Sequence, residues 1–183
     1  YAAIGVIRSI VWSPDGTLLA IAAAGGVYVR AVAGGGAEVC RLHEGNNMMC
    51  CAFDDSGSRL ATGGQQDDNR VTVWDVATWT QTQTLPTDRP QSRVCFSPTA
   101  DRIAYLEEGG DGAVVVRSLG DTDIDGEPTI RFPLRSRLRG DVSFSPDGDF
   151  LLCCLKSTNE MRVLDLRTGT DAEWGSAFRS MAL

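Results

Sequence analysis

Val11-Trp12-Ser13-Pro14-Asp15-Gly16 decides the reading of this chain, because it comes back. It returns as Ala52-Phe53-Asp54-Asp55-Ser56-Gly57, then as Cys95-Phe96-Ser97-Pro98-Thr99-Ala100, then as Ser143-Phe144-Ser145-Pro146-Asp147-Gly148. The aromatic anchors Trp12, Phe53, Phe96 and Phe144 are spaced by 41, 43 and 48 residues. Self-similarity at such a period marks a repeat architecture. Such a scaffold points to binding rather than to chemistry in one pocket.

Two further runs keep the same beat. One is Leu18-Leu19-Ala20, Leu60-Ala61, Ile103-Ala104-Tyr105 and Leu151-Leu152-Cys153. The other is Val27-Tyr28-Val29-Arg30, Val71-Thr72-Val73-Trp74-Asp75, Val114-Val115-Val116-Arg117 and Met161-Arg162-Val163-Leu164-Asp165. Each unit reads as strand, tight turn, strand, turn, strand. Proline presets φ at the first corner of the Ser-Pro-Asp-Gly turn, and glycine accepts the left-handed conformation that follows. The β-branched runs fit a pleated, mostly buried sheet. A weaker fourth strand is expected at 37–42, 80–85 and 129–133. The expected fold is all-β: four-stranded antiparallel blades, with repeats near 7–45, 46–88, 89–135 and 136–183.

Four strands per unit of this length resemble the WD40-repeat β-propeller family, and Trp74-Asp75 carries its signature dipeptide. The second repeat matches best. The resemblance implies that His43, Thr62, Asp68 (or its neighbour Asp67) and Trp74 form a hydrogen-bonded cluster that ties the blade together, a structural role. The other repeats hold Arg30, Arg117 and Leu164 at the tryptophan position and have no histidine, so their blades are expected to rely on packing alone. The Ser-Pro turn followed by Ile103-Ala104-Tyr105 also resembles TolB-like and peptidase-associated propellers. Four repeats make about half of a usual ring of this family. The expectation is therefore part of a longer propeller, a half-ring completed by another chain, or a compact four-bladed ring. Residues 1–6 are expected as an outer strand of a further blade, and the outer strand of the last repeat is poorly defined.

Composition bounds the function classes. The formal charge of −7 disfavours non-specific nucleic-acid binding, which needs basic surface to neutralise phosphates, except through a local arginine patch. No run reaches the length of a membrane-spanning helix. Cys40, Cys50, Cys51, Cys95, Cys153 and Cys154 fall mostly in apolar strand runs and lack zinc spacing. They read as small buried hydrophobes in a cytoplasmic or otherwise reducing compartment. The single histidine comes with no nucleophile-elbow motif and there is no phosphate-binding loop, so no catalytic residue and no cofactor is assigned.

Three loops draw separate expectations. Asp121, Asp123 and Asp125, followed by Gly126, resemble the start of a calcium loop. Phe132 stands where an EF-hand needs its twelfth-position glutamate, so a solvated acidic loop competes with that reading and no metal is assigned. Glu107-Glu108-Gly109-Gly110-Asp111-Gly112 reads as a long hairpin whose acids keep the tip wet. Arg131, Arg135, Arg137 and Arg139 put four arginines in nine residues ahead of the fourth repeat. Arginine suits bidentate pairing with carboxylate or phosphate, so these four are the candidate partner-docking residues, against a solvated basic loop that balances the acidic chain.

The expected function is a non-enzymatic scaffold for protein–protein interaction or complex assembly. The alternatives are the ligand-sensing region of a larger signalling ATPase or kinase and a peptidase-associated propeller.

Overall fold

The computed structural model describes residues 4–65, 69–120, 130–134, 140–155 and 160–172. Every element among them is a β-strand, and the strands form four antiparallel sheets of four, each in sequence order or its reverse. Blade one comprises β1 (Ile7–Trp12), β2 (Leu18–Ala23), β3 (Gly26–Ala31) and β4 (Glu38–Leu42). Blade two comprises β5 (Asn47–Phe53), β6 (Arg59–Gln65), β7 (Arg70–Asp75) and β8 (Gln81–Pro86). Blade three comprises β9 (Gln91–Phe96), β10 (Arg102–Glu107), β11 (Ala113–Ser118) and β12 (Ile130–Pro133). Blade four comprises β13 (Gly140–Phe144), β14 (Phe150–Leu155), β15 (Glu160–Asp165) and the two-residue β16 (Thr170–Asp171). These are four β-propeller blades. Residues 4–6 hold no strand, contrary to the outer strand expected there.

The chain divides into two compact units, Tyr1–Val94 and Cys95–Leu183, with the division inside β9. In the first unit, blade one turns Ala20, Ala22, Val27 and Val29 toward Met48, Cys51 and Leu60 of blade two. In the second, Ala104, Leu106, Val114 and Val116 of blade three meet Val142, Leu151, Cys153 and Leu164 of blade four. Alternation along each strand produces this arrangement, since residues two apart share a face.

The recurring turn shows why its residues matter. Ser13 Oγ donates to Asp15 Oδ1 at 2.6 Å and accepts from Leu18 N–H at 2.9 Å, while Gly16 N–H closes the turn on the Ser13 carbonyl at 2.9 Å. The fourth copy repeats the pattern: Ser145 Oγ donates to Asp147 at 2.6 Å and accepts from Phe150 N–H at 2.9 Å. Gly16, Gly57 and Gly148 all lie at φ between 71° and 73°, where a side chain is strained. In the second copy Asp54 stands for the serine and accepts directly from Arg59 N–H at 3.0 Å. The third copy has neither the aspartate nor the glycine. Its Ser97 Oγ is buried without a hydrogen-bond partner, and Thr99 Oγ1 donates instead to the Asp147 carbonyl at 3.0 Å.

These hydrogen bonds set the carboxylate pKa values. The Ser13 hydroxyl, helped by Thr17, holds Asp15 below the ordinary range, and the Ser145 hydroxyl with Asp149 N–H does the same for Asp147. At Asp54 burial pushes the pKa up, but the hydrogen bonds from Arg59 and Ser56 outweigh it and leave it lowered. A hydrogen bond to the charged form favours that form.

Candidate functional site

Blade two brings His43, Thr62 and Trp74 together. Thr62 lies mid-strand on β6, fully buried, and Trp74 lies on β7. His43 occupies the link between β4 and β5 at φ 54°, a left-handed conformation that histidine adopts more readily than bulky residues do. Trp74 Nε1–H donates to Thr62 Oγ1 at 3.0 Å, and His43 Nε2 lies 3.0 Å from the same oxygen. The Thr72 carbonyl is 3.3 Å from it. The His43 and Trp74 rings meet edge to face, 5.1 Å between centroids at 84°.

Hydrogen-bond valence explains why threonine suits the centre. An indole only donates, so Thr62 Oγ1 accepts from Trp74 and has one proton left to give. A neutral imidazole with a lone pair on Nε2 takes that proton. A protonated imidazole donates instead, and the hydroxyl turns its proton to the Thr72 carbonyl. The cluster is satisfied in either state. Asp67 and Asp68, the remaining members expected, lie outside the described residues.

Blade three replaces this cluster with charge. Arg117, at the Trp74 position, is buried, and its Nε donates to the Tyr105 hydroxyl at 3.1 Å. Arg131 on β12 pairs with Glu107 on β10 at 2.8 Å, and the Glu107 side chain is almost wholly buried. Cross-strand register aligns the four residues: Tyr105 pairs with Val115, which pairs with Arg131, on the face that Glu107 and Arg117 share. Burial pushes the Tyr105 phenol up to about 12, against the pull of the Arg117 charge.

Three expectations change here. Blade three does not rely on packing alone. Nor does blade one, where Arg30 bonds the Gly36 carbonyl at 3.0 Å and pairs with Glu38 at 3.4 Å. Blade four does bury Leu164 in its apolar core. Glu107 itself is no wet hairpin residue, because it is the last residue of β10 and its buried carboxylate meets the Arg131 guanidinium. Sequence reasoning missed the Tyr105–Arg117 pair, although the twelve-residue interval and the strand alternation were there to be read. Of the candidate docking residues, Arg131 engages Glu107 while its side chain stays exposed, and Arg135, Arg137 and Arg139 lie outside the described residues. So do Asp121, Asp123 and Asp125. Among the described residues no group of acids, histidines and cysteines is arranged to hold a metal.

Four of the thiols are held in the protonated form. Burial raises Cys51, Cys95 and Cys153 to about 12, and burial with the nearby Glu38 charge raises Cys40 to about 11. The thiolate is the reactive form, and neutral pH leaves almost none of it at these four.

Residues 38–75 match the family model described as WD domain, G-beta repeat. The matched stretch starts on β4 of blade one, crosses β5 and β6, and ends on β7, so it contains His43, Thr62 and Trp74. The chain is also 29% identical over 133 residues to a protein named chromatin assembly factor 1 subunit FAS2 homolog, from Oryza sativa subsp. japonica. That similarity covers 64% of this chain and 25% of the relative, so the chain spans about a quarter of the relative's length. The matching sequence at 38–75 and the Thr62-centred cluster inside it identify that stretch as a WD40 repeat, set among four repeated four-stranded blades.

Proposed function

We propose that this chain is a non-enzymatic scaffold that holds a protein partner within a multi-subunit assembly. The observation that carries this reading is the WD40 repeat at residues 38–75, whose one histidine is built into the blade frame. The name of the rice relative, an assembly-factor subunit, supports the same reading. The side chains that would otherwise invite chemistry serve structure: His43 bonds Thr62, Glu107 pairs with Arg131, and the Cys51 thiol lies against the Ala20 carbonyl. Rigid strands leave the connections between them to carry recognition.

The sequence leading into blade four carries Arg135, Arg137 and Arg139, and we assign partner docking to them. Their partner surface is acidic, because guanidinium groups pair bidentately with carboxylates. Changing all three to Glu and comparing partner co-purification with the unaltered chain tests this. Loss of partner with an unchanged thermal midpoint is the expected outcome. Equal recovery from both chains would remove the docking assignment, and recovery of no partner by the unaltered chain would remove the scaffold reading.

A further inference from the structure

Aspartate precedes glycine at Asp15, Asp111, Asp125 and Asp147, and glycine leaves the aspartyl side chain room to react with the next backbone nitrogen. Asp125 lies outside the described residues. The other three sit in turns of one kind. The glycine N–H closes on the carbonyl three residues back: Gly16 on Ser13 and Gly148 on Ser145 at 2.9 Å, Gly112 on Gly109 at 3.0 Å. What differs is the residue at the head of the turn. Ser13 Oγ donates to Asp15 Oδ1 at 2.6 Å, and the Thr17 N–H donates to the same oxygen at 3.0 Å. Ser145 Oγ donates to Asp147 Oδ1 at 2.6 Å, and the Asp149 N–H does so at 3.1 Å. Gly109 has no side chain to offer, and among the described residues nothing donates to the Asp111 carboxylate.

We propose that Asp111 is a site of spontaneous isoaspartate formation, a reaction that the serine-headed turns hold off at Asp15 and Asp147. The Gly112 nitrogen attacks Asp111 Cγ. An N–Cγ bond forms, a Cγ–O bond breaks, and the carboxyl OH leaves with the amide proton as water. Water then opens the five-membered imide. Breaking the new bond restores aspartate. Breaking the original peptide bond instead leaves the chain running through Cβ and Cγ, and the old carbonyl becomes a free carboxylate. A carboxylate is a poor electrophile, so the ring closes from the acid form. The serine hydroxyls favour the ionised form of Asp15 and Asp147, lowering both pKa values, and they tie each carboxyl to the far end of its turn. Asp111 is exposed between Gly110 at φ 53° and Gly112 at φ 58°, so no neighbouring Cβ opposes rotation toward the attacking geometry.

Isomerisation lengthens the main chain by one carbon immediately before Gly112. The Gly112 carbonyl accepts from the Leu134 N–H at 3.1 Å, and Ala113 pairs with both Glu107 and Pro133. The extra atom therefore falls at the end of the hairpin where Glu107 meets Arg131. An aged chain that carries it should unfold at a lower urea midpoint.

Incubating the intact chain at neutral pH and mapping its peptides by electron-transfer fragmentation reads isoaspartate at each site. Asp111 should accumulate it about tenfold or more faster than Asp15 and Asp147, because a carboxyl held out of the attacking geometry reacts slowly. In the urea-unfolded chain the three sites should react at similar rates. Ser145→Ala, incubated below its own thermal midpoint, should raise the rate at Asp147. Asp111→Ser should stop the fall of the urea midpoint on ageing. Equal rates at the three sites of the folded chain, or no isoaspartate at Asp111, would overturn the proposal. So would a difference that persists in urea, which would owe nothing to the fold, or a Ser145→Ala chain whose Asp147 stays as slow as the parent's.

Discussion

Blades two and three solve one problem with opposite chemistry. Blade two ties β6, β7 and the link into β5 together, and blade three ties β10, β11 and β12. Blade two uses neutral donors and acceptors around Thr62, and its hydroxyl serves either state of His43. Blade three uses a carboxylate, two guanidinium groups and a phenol. A neutral cluster costs little to bury and fails gently. A charged one must overcome a large desolvation cost, and it fails hard when one partner goes. The blade that kept its tryptophan kept the milder device.

The largest break should come from splitting the charged pair. Arg131→Met leaves the buried Glu107 carboxylate without its partner and should cost about 2–4 kcal/mol in urea denaturation. The Arg131 side chain is exposed, which places the effect below that of a fully enclosed pair. Changing Glu107 and Arg131 together to Leu should cost far less than the single change, because no charge is stranded. If the double variant is the less stable of the two, blade three does not depend on charge pairing.

Thr62→Val comes next. It keeps the shape and removes the shared oxygen, so the Trp74 indole N–H loses its acceptor, at about 1–3 kcal/mol. The matching measurement in blade three is alkaline titration. Tyr105 ionises near 12 when folded, against 10.0 for a free phenol. The unfolded chain therefore gains charge first as the pH rises, and stability falls between those two values. Tyr105→Phe should flatten that fall in urea midpoints measured at successive pH values.

The smallest expected effect concerns the turns. Asp15, Asp54 and Asp147 have lowered pKa values when folded, so their contribution is present above the ordinary carboxylate value of 3.8 and is lost as the pH falls through the folded values. Asp54→Asn should reduce the acid sensitivity of the urea midpoint. Thr99→Asp with Ala100→Gly should give blade three the turn of its neighbours. It supplies an acceptor for the orphaned Ser97 hydroxyl and raises stability by about 0.5–1 kcal/mol. A variant no more stable than the parent would show that the Thr99 bond to the Asp147 carbonyl is worth as much.

Much of the fold could be read in advance because its determinants are local. Ser-Pro-Asp-Gly specifies a turn within six residues, and alternation assigns faces within a strand. The Thr62 cluster was legible through the family pattern, since Trp74 and His43 stand at recognisable intervals. The blade three cluster was not, because Glu107 and Arg131 meet only once β10, β11 and β12 are in register. Glu107 precedes two glycines and so looked like a loop acid, and Arg131 looked like one member of a basic run. What separates a paired arginine from a docking arginine is the strand it sits on, and β12 is short and weakly marked.

The matched repeat at residues 38–75 does not coincide with a blade. It begins with the last strand of one and ends with the third strand of the next. A copied or excised repeat would therefore leave no blade whole: the one upstream would change its outer strand, and the one downstream its other three. Inheritance and architecture are cut at different joints. An engineer who adds or removes a unit of this protein should cut in the Asp75–Thr80 turn, where the Asp75 carboxylate accepts from Thr78 and the Asp75 N–H meets the Thr80 carbonyl. The His43 link would then travel with β5, β6 and β7, the strands that carry its partners.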